Sequence, residues 1–205
     1  MAKSVVSLHL QGIDFGIHTI RKAVEQLREE IPTLSTFSSL SPIPLFSRWL
    51  RGQLKQQLQE PTPARGLLPQ EVAAALKSQF GLTTDAEMYA FMLEILDAQT
   101  WKENQEARER LRGPLMHLCA RYLCEVKRPG TTGYAADPVA NFHLRNGAQI
   151  WRLNWAAVSN STGYKQSLGM MVNYRYFLDE LNDNSAAYLL RKEAKRSSTI
   201  EALLH

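Results

Sequence analysis

Cysteine and unbroken apolar sequence are both scarce in this chain. Only Cys119 and Cys124 occur among its 205 residues, in a segment with helical patterning. Their spacing suits neither a disulfide within a helix nor a zinc-ligand pair, so both read as buried free thiols in a reducing, intracellular setting. No apolar run approaches the roughly 20 residues that a membrane span needs. The opening MAKSVVSLHLQG lacks the long apolar region of a signal peptide and does not resemble a transit sequence, so the expected location is cytoplasmic. Neither charge sign prevails: 24 Lys and Arg stand against 20 Asp and Glu, a net of +4. The basic residues within 102–112, 127–128 and 191–196 are mostly mixed with acids, as on a solvated helix face. A basic rim of that kind also steers anionic, phosphate-bearing ligands. Aromatics interleaved with basic residues, the mark of a nucleic-acid module, are missing. Neither nucleic acid nor a membrane is an expected partner.

What remains is an ordinary globular composition, 44% hydrophobic and 21% charged, enough for one core and one or two domains. SVVSLHL (4–10) alternates and is β-branched, which reads as a strand. Ile17, Ile20, Val24, Leu27 and Ile31 recur at helical spacing, and Pro32 ends that helix. TLSTFSSL (33–40) reads as a second strand, followed by SPIPLF, held extended by its prolines. Residues 47–58 read as helix, QEPTPARGLLPQ as a linker, and 70–127 as helical with a break at Gly113–Pro114. RPGTTGYAAD is a loop. Asp137 is a good N-cap with Pro138 in the first helical position, and the short helix 138–145 stops at Asn146–Gly147. AQIWRLNW reads as a strand. SLGMMVNYRYF reads as another, with a helix as the alternative, and residues 178–205 read as a polar helical tail.

Three stretches offer chemistry. Gln11, Gly12, Ile13, Asp14, Phe15 and Gly16 lie between a strand and a helix start. There, free N–H groups and the helix dipole suit a pyrophosphate, and the glycines let the backbone approach it; a plain turn has the same composition. Ser38, Ser39 and Ser41 end a strand, with Ser41 held extended by Pro42; serines so placed serve as caps or as nucleophiles. His143 shares its short helix with Val139 and Phe142, and is either a core histidine bonded to a carbonyl or a working acid–base group. No ligand grouping surrounds it, so a metal site is not expected. Tyr174 and Tyr176 alternate onto one strand face, where a phenol serves as core or orients an imidazole.

The order of these parts resembles the second half of the GNAT acyl-CoA transferase fold. In that fold a glycine turn holds the CoA pyrophosphate, and a short helix carries a general acid near the thioester sulfur. QGIDFG, FSSLSPIP, LCARYL, DPVANFHLRNGA, RLNW and MVNYRYFL, in that order and spanning about Leu8 to Tyr188, resemble the malonyl-CoA decarboxylase family more closely still. The resemblance implies an α/β (α+β) fold, an incomplete GNAT-like mixed sheet flanked by helices and carrying a helical insertion. It divides the chain into 1–57 (CoA loop and serine segment), 58–128 (helical insertion) and 129–205 (histidine helix, final strands and tail). The family's helical N-terminal domain and first GNAT strands are expected to be absent.

For the site, the resemblance implies Ser41, His143 and Tyr176 as catalytic residues. It places the malonyl-CoA phosphate loop on residues 11–17, ending at Ile17, with Asn141 a further substrate contact. Malonyl-CoA is the expected partner, along with a homo-oligomer or association with the missing N-terminal part. No cofactor is expected, because the thioester carbonyl is the electron sink for the departing CO2. Ser41 would orient the malonyl carboxylate, His143, with a pKa near the working pH, would protonate Cα, and Tyr176 would fix its tautomer. The family pattern NW-x-x-D-x-S-x-x-G is not kept: Val158 stands at the acid and Asn160 at the serine, which implies reduced activity if that acid braces the site. The alternatives are a GNAT acyltransferase and a catalytically impaired CoA-binding fragment or subunit.

Overall fold

The protein, seen here as a computed structural model, is described over residues 15–59, 66–98, 100–131 and 133–205. It divides into two compact units, residues 1–35 and 36–205. The described part of the first is one helix, α1 (Phe15–Glu30). Ile20, Val24 and Leu27 recur along it at the spacing of a single helix face. Helical geometry stops before Pro32, whose ring disfavours it in the preceding residue. The strand expected over 4–10 and residues 11–14 of the glycine turn lie outside the described residues.

The second unit is built on three strands, β1 (Phe37–Pro42), β2 (Gln149–Asn154) and β3 (Met171–Tyr176), with β3 in the middle and both pairings antiparallel. Val172, Tyr174 and Tyr176 alternate onto the buried face of β3, so this segment is a strand and not the alternative helix. Side chains at every second position share a face, which makes the two tyrosines neighbours. An irregularity between Ile150 and Arg152 shifts the register of β2. Where a mixed sheet was expected, the parallel contribution among the described residues is a single bridge of Ile150 with Arg196.

Four helices follow β1 in the chain: α2 (Phe46–Gln59), α3 (Gln70–Phe80), α4 (Asp85–Ala98) and α5 (Gln105–Cys124). α2 packs on α4 and α5, and α3 on the same two. Phe46, Leu50 and Leu54 meet this core at helical spacing, as do Met88, Met92 and Leu96, and all six are buried. Arg51 ties α2 to the end of α4, its Nε 3.0 Å from Asp97 Oδ1 and a second guanidinium nitrogen donating to Leu96 O. Cys119 and Cys124 are buried free thiols, as their spacing predicted.

Two expectations are corrected here. Gly113–Pro114 does not break the helix, since α5 runs through Pro114. Proline removes one N–H, and so one bond to the carbonyl four residues back. Here that loss is offset by burial, since Pro114 is buried along with Leu111, Leu115 and Leu118 of the same helix. The tail is likewise not one polar helix. It forms a 3₁₀ turn, the short α-helix Leu181–Ala186, a π turn over Ala187–Arg191 closed by Lys192 at φ 61°, and the last helical turn Ser198–Glu201. Leu181, Asn184, Ser185, Ala187 and Tyr188 are buried, so tertiary contacts and not solvent shape this segment. No described helix is long and apolar enough to cross a membrane.

Candidate functional site

The site is organised by α6 (Pro138–Arg145), a helix too short to hold itself together in water. Each end is therefore fixed from outside. Asp137 caps the start, its Oδ1 accepting from the N–H of Val139 (3.0 Å) and of Ala140 (2.9 Å), while the Tyr122 hydroxyl donates to Oδ2 at 3.4 Å. This carboxyl is fully buried. Burial raises its pKa, and the hydrogen bonds it accepts oppose that rise. At the other end Asn146 Nδ2 donates to Phe142 O, Ser185 Oγ to Arg145 O and Asn184 Nδ2 to Gly147 O. Gly147 has φ +79°, and a Cβ there would lie 2.1 Å from Leu181 O. Only glycine permits both that turn and that approach.

Clamped in this way, α6 presents His143 to the sheet. Ser41 comes from β1, where alternation puts Phe37, Ser39 and Ser41 on one face, opposite Tyr176, Tyr174 and Val172 of β3. Ser41 Oγ lies 3.0 Å from His143 Nε2, and Tyr176 OH lies 2.5 Å from His143 Nδ1. Ser39 Oγ extends the chain at 2.9 Å from Ser41 Oγ. Tyr174 lies flat against the imidazole, ring centroids 4.3 Å apart and planes 17° from parallel. Ser41, Tyr174 and Tyr176 are all buried.

Electrostatics correct one expectation. His143 was expected to titrate near neutrality; burial, with no charged partner resolved to oppose it, lowers its pKa to about 4. The free protein thus carries a neutral imidazole at neutral pH. One ring nitrogen accepts and the other donates, so the chain Ser41–His143–Tyr176 is satisfied in either tautomer. Burial also raises the Tyr176 pKa well above the ordinary phenol value, which keeps it a protonated hydrogen-bonding group.

Of the residues singled out from sequence, Ser41, His143 and Tyr176 come together. Asn141 does not join them: its Oδ1 accepts from Tyr188 OH at 2.9 Å, and that hydroxyl accepts from the N–H of Ala135. Gln11, Gly12, Ile13 and Asp14 lie outside the described residues, and Phe15, Gly16 and Ile17 open α1. Of the three strand-end serines, alternation places Ser39 on the face of Ser41 and beside it. The sequence does not single out the buried tail residues Asn184, Ser185 and Tyr188 that hold α6, because they sit in a stretch whose overall polarity suggests solvent.

Residues 2–205 match the family model described as "Malonyl-CoA decarboxylase C-terminal domain". The chain belongs to the malonyl-CoA decarboxylase family. It is 40% identical to the protein named "Malonyl-CoA decarboxylase, mitochondrial" in Anser anser anser, over 96% of this chain and 38% of that protein. The identity is again 40% to the protein of the same name in Mus musculus, over 98% and 39%. Among solved structures it is similar to the malonyl-CoA decarboxylase of Rhodopseudomonas palustris (TM-score 0.72, 33% identity, 94% of this chain and 38% of that one). The enzyme from Cupriavidus metallidurans is comparable (TM-score 0.71, 34% identity, 95% and 45%). The chain thus spans well under half the length of the malonyl-CoA decarboxylases it matches.

Val158 and Asn160, where this member departs from the malonyl-CoA decarboxylase pattern, have work in the fold. Asn160 caps α7 (Ser161–Ser167) by accepting from the N–H of Gly163 at 2.8 Å, a role a serine fills equally well. Val158 packs so tightly on Gly163 that a Cβ there would lie 2.4 Å from Val158 Cγ1. The valine thus fills space directly against the α7 backbone.

Proposed function

We propose that this chain carries the catalytic groups for decarboxylation of malonyl-CoA to acetyl-CoA and CO2. The observation behind this is the hydrogen-bonded series Ser41–His143–Tyr176 in a member of the malonyl-CoA decarboxylase family. Loss of CO2 leaves its electron pair on Cα, delocalised into the thioester as an enolate. The substrate is its own electron sink, so the chemistry calls for no biotin, thiamine or metal. The reaction consumes one proton, which must reach Cα.

Ser41 Oγ donates a hydrogen bond to the malonyl carboxylate and holds it out of the thioester plane. The arriving anion favours the charged form of the imidazole beside it, so His143, neutral in the free protein, takes up a proton as substrate binds. That proton then moves from Nε2 to Cα, and neutral imidazole is restored. Tyr176 accepts from Nδ1–H while the imidazolium exists and so keeps Nε2 aimed at the substrate. Residues 11–17, the last three of which open α1, are proposed to receive the CoA phosphates, as the family resemblance implies.

A neutral histidine hydrogen-bonded to a serine also suits nucleophilic attack, which favours one second reading: acyl transfer through Ser41 to an amine or water. The products separate the two. Decarboxylation yields acetyl-CoA and CO2 in equal amounts with no free CoA. Acyl transfer releases free CoA and leaves the malonyl carboxylate intact, and that outcome would replace the proposal.

A further inference from the structure

We propose that Tyr174 is a positioning residue whose ring face stabilises the protonated form of His143 during turnover. This rests on the reading of His143 as proton donor and adds a group that touches neither carboxylate nor Cα. The two rings are 17° from parallel with centroids 4.3 Å apart, whereas Tyr176 meets the same imidazole nearly edge-on at 6.0 Å and holds it through Nδ1. An aromatic face is the negative end of the ring quadrupole, and it attracts a cation stacked within about 6 Å. A neutral imidazole gains little from that field, and an imidazolium gains more. The stack is therefore worth most at the step where His143 holds the proton bound for Cα.

Among the described residues Tyr174 is the ring stacked on the imidazole, whereas Phe142 meets it at 5.2 Å with the planes 78° apart. β1 offers it Ser41, and β3 offers Tyr174 and Tyr176. α6 also packs on β2, on the helix Leu181–Ala186 and on the π turn. Their Arg152, Asp183 and Arg191 are solvent-exposed, and the Tyr188 hydroxyl is engaged by Asn141 and Ala135. Asp137 acts on Tyr174 and not on His143, for which burial is the one resolved influence. A cation forming here is stabilised by the substrate, by the Tyr176 oxygen at Nδ1 and by the ring beneath it. The Tyr174 hydroxyl is buried with no hydrogen-bond partner among the described residues. A lone buried hydroxyl is a cost, so the ring and not the hydroxyl carries the role proposed for this position.

The test reads His143 directly. Ring-nitrogen NMR titration of the protein without substrate is compared for wild type, Tyr174→Phe and Tyr174→Leu. Phenylalanine keeps the face and leaves the titration close to wild type. Leucine removes the face and moves the His143 midpoint down by about half to one pH unit, with kcat for malonyl-CoA falling about tenfold. If the leucine variant does not fold, pentafluorophenylalanine at position 174, which keeps the shape and reverses the quadrupole, must lower the midpoint relative to phenylalanine. A midpoint unchanged or raised when the face is removed or reversed overturns the proposal. That result leaves the proton-donor reading intact, because the latter fails only if decarboxylation survives loss of His143.

Discussion

At the scale of single residues, His143 has two opposing demands on it. Burial holds it neutral, with its pKa lowered to about 4, yet the proposed chemistry needs it charged when CO2 leaves. In the proposed chemistry, substrate resolves the conflict by bringing its own anion, which gives a kinetic signature. The pH dependence of kcat/KM reports ionisation of the free enzyme. Since free His143 is protonated only in small fraction above pH 5, kcat/KM should fall about tenfold per pH unit between pH 5 and 8. A steady-state pH series checks this, and a flat kcat/KM would mean that the donor is never the imidazolium. Tyr176 acts on the same ring through its other nitrogen, Nδ1. Tyr176→Phe removes the Nδ1 partner and should lower kcat about 10- to 100-fold with little change in KM, as expected of a group that serves an acid–base residue. A loss confined to KM would assign Tyr176 to binding.

At the scale of elements, the controlling fact is that α6 is short and fixed at both ends. Loss of the Asp137 cap in Asp137→Ala should cost about 1–2 kcal/mol of stability, seen as a lowered urea midpoint. α7 offers a second test. Gly163→Ala drives a Cβ into Val158 and should cost about 1–3 kcal/mol, as overpacking does. Added Val158→Ala should recover part of that cost, and strict additivity in the double-mutant cycle would show that the contact has no energetic weight. Much of α6 was legible in advance. Asp137, Pro138 and Asn146–Gly147 are local capping chemistry, and they gave 138–145 with the bounds observed. Pro114 differs for the opposite reason: the helix through it is held by its burial in the core, which a Gly-Pro pair does not announce. The tail was misread because its buried side of Leu181, Asn184, Ser185 and Tyr188 is diluted by the exposed Asn182, Asp183, Leu190 and Arg191.

At the scale of the whole molecule, buried titratable groups set the response to acid. The folded-state pKa values of His143 and His117 are both lowered, chiefly by burial. Each therefore contributes stability that is fully present above the unfolded value near 6.5 and lost as pH falls toward the folded value. For His143, between 6.5 and about 4, the loss reaches at most about 3 kcal/mol. Asp137, its pKa raised by burial, opposes this, since protonation relieves a buried charge. The free energy of unfolding should drop from pH 7 to pH 5, and His117→Gln with His143→Gln should flatten that drop; an equal slope in the variant would remove these groups from the account. Ser41 and His143 stand 102 positions apart, and no local pattern brings them together. The family wording pointed to the pair, and the antiparallel register of β1 and β3 with the clamp on α6 explains how they meet. Ser39 and Tyr174 can be named but not assigned from the sequence, because small polar and aromatic strand residues look alike whether they serve a core or a site. The most direct measurement is the yield of acetyl-CoA and CO2 from malonyl-CoA with wild type, Ser41→Ala and His143→Asn. The account predicts stoichiometric products from wild type and a loss of at least about 100-fold in kcat in the histidine variant; a folded His143→Asn protein with full activity would contradict it.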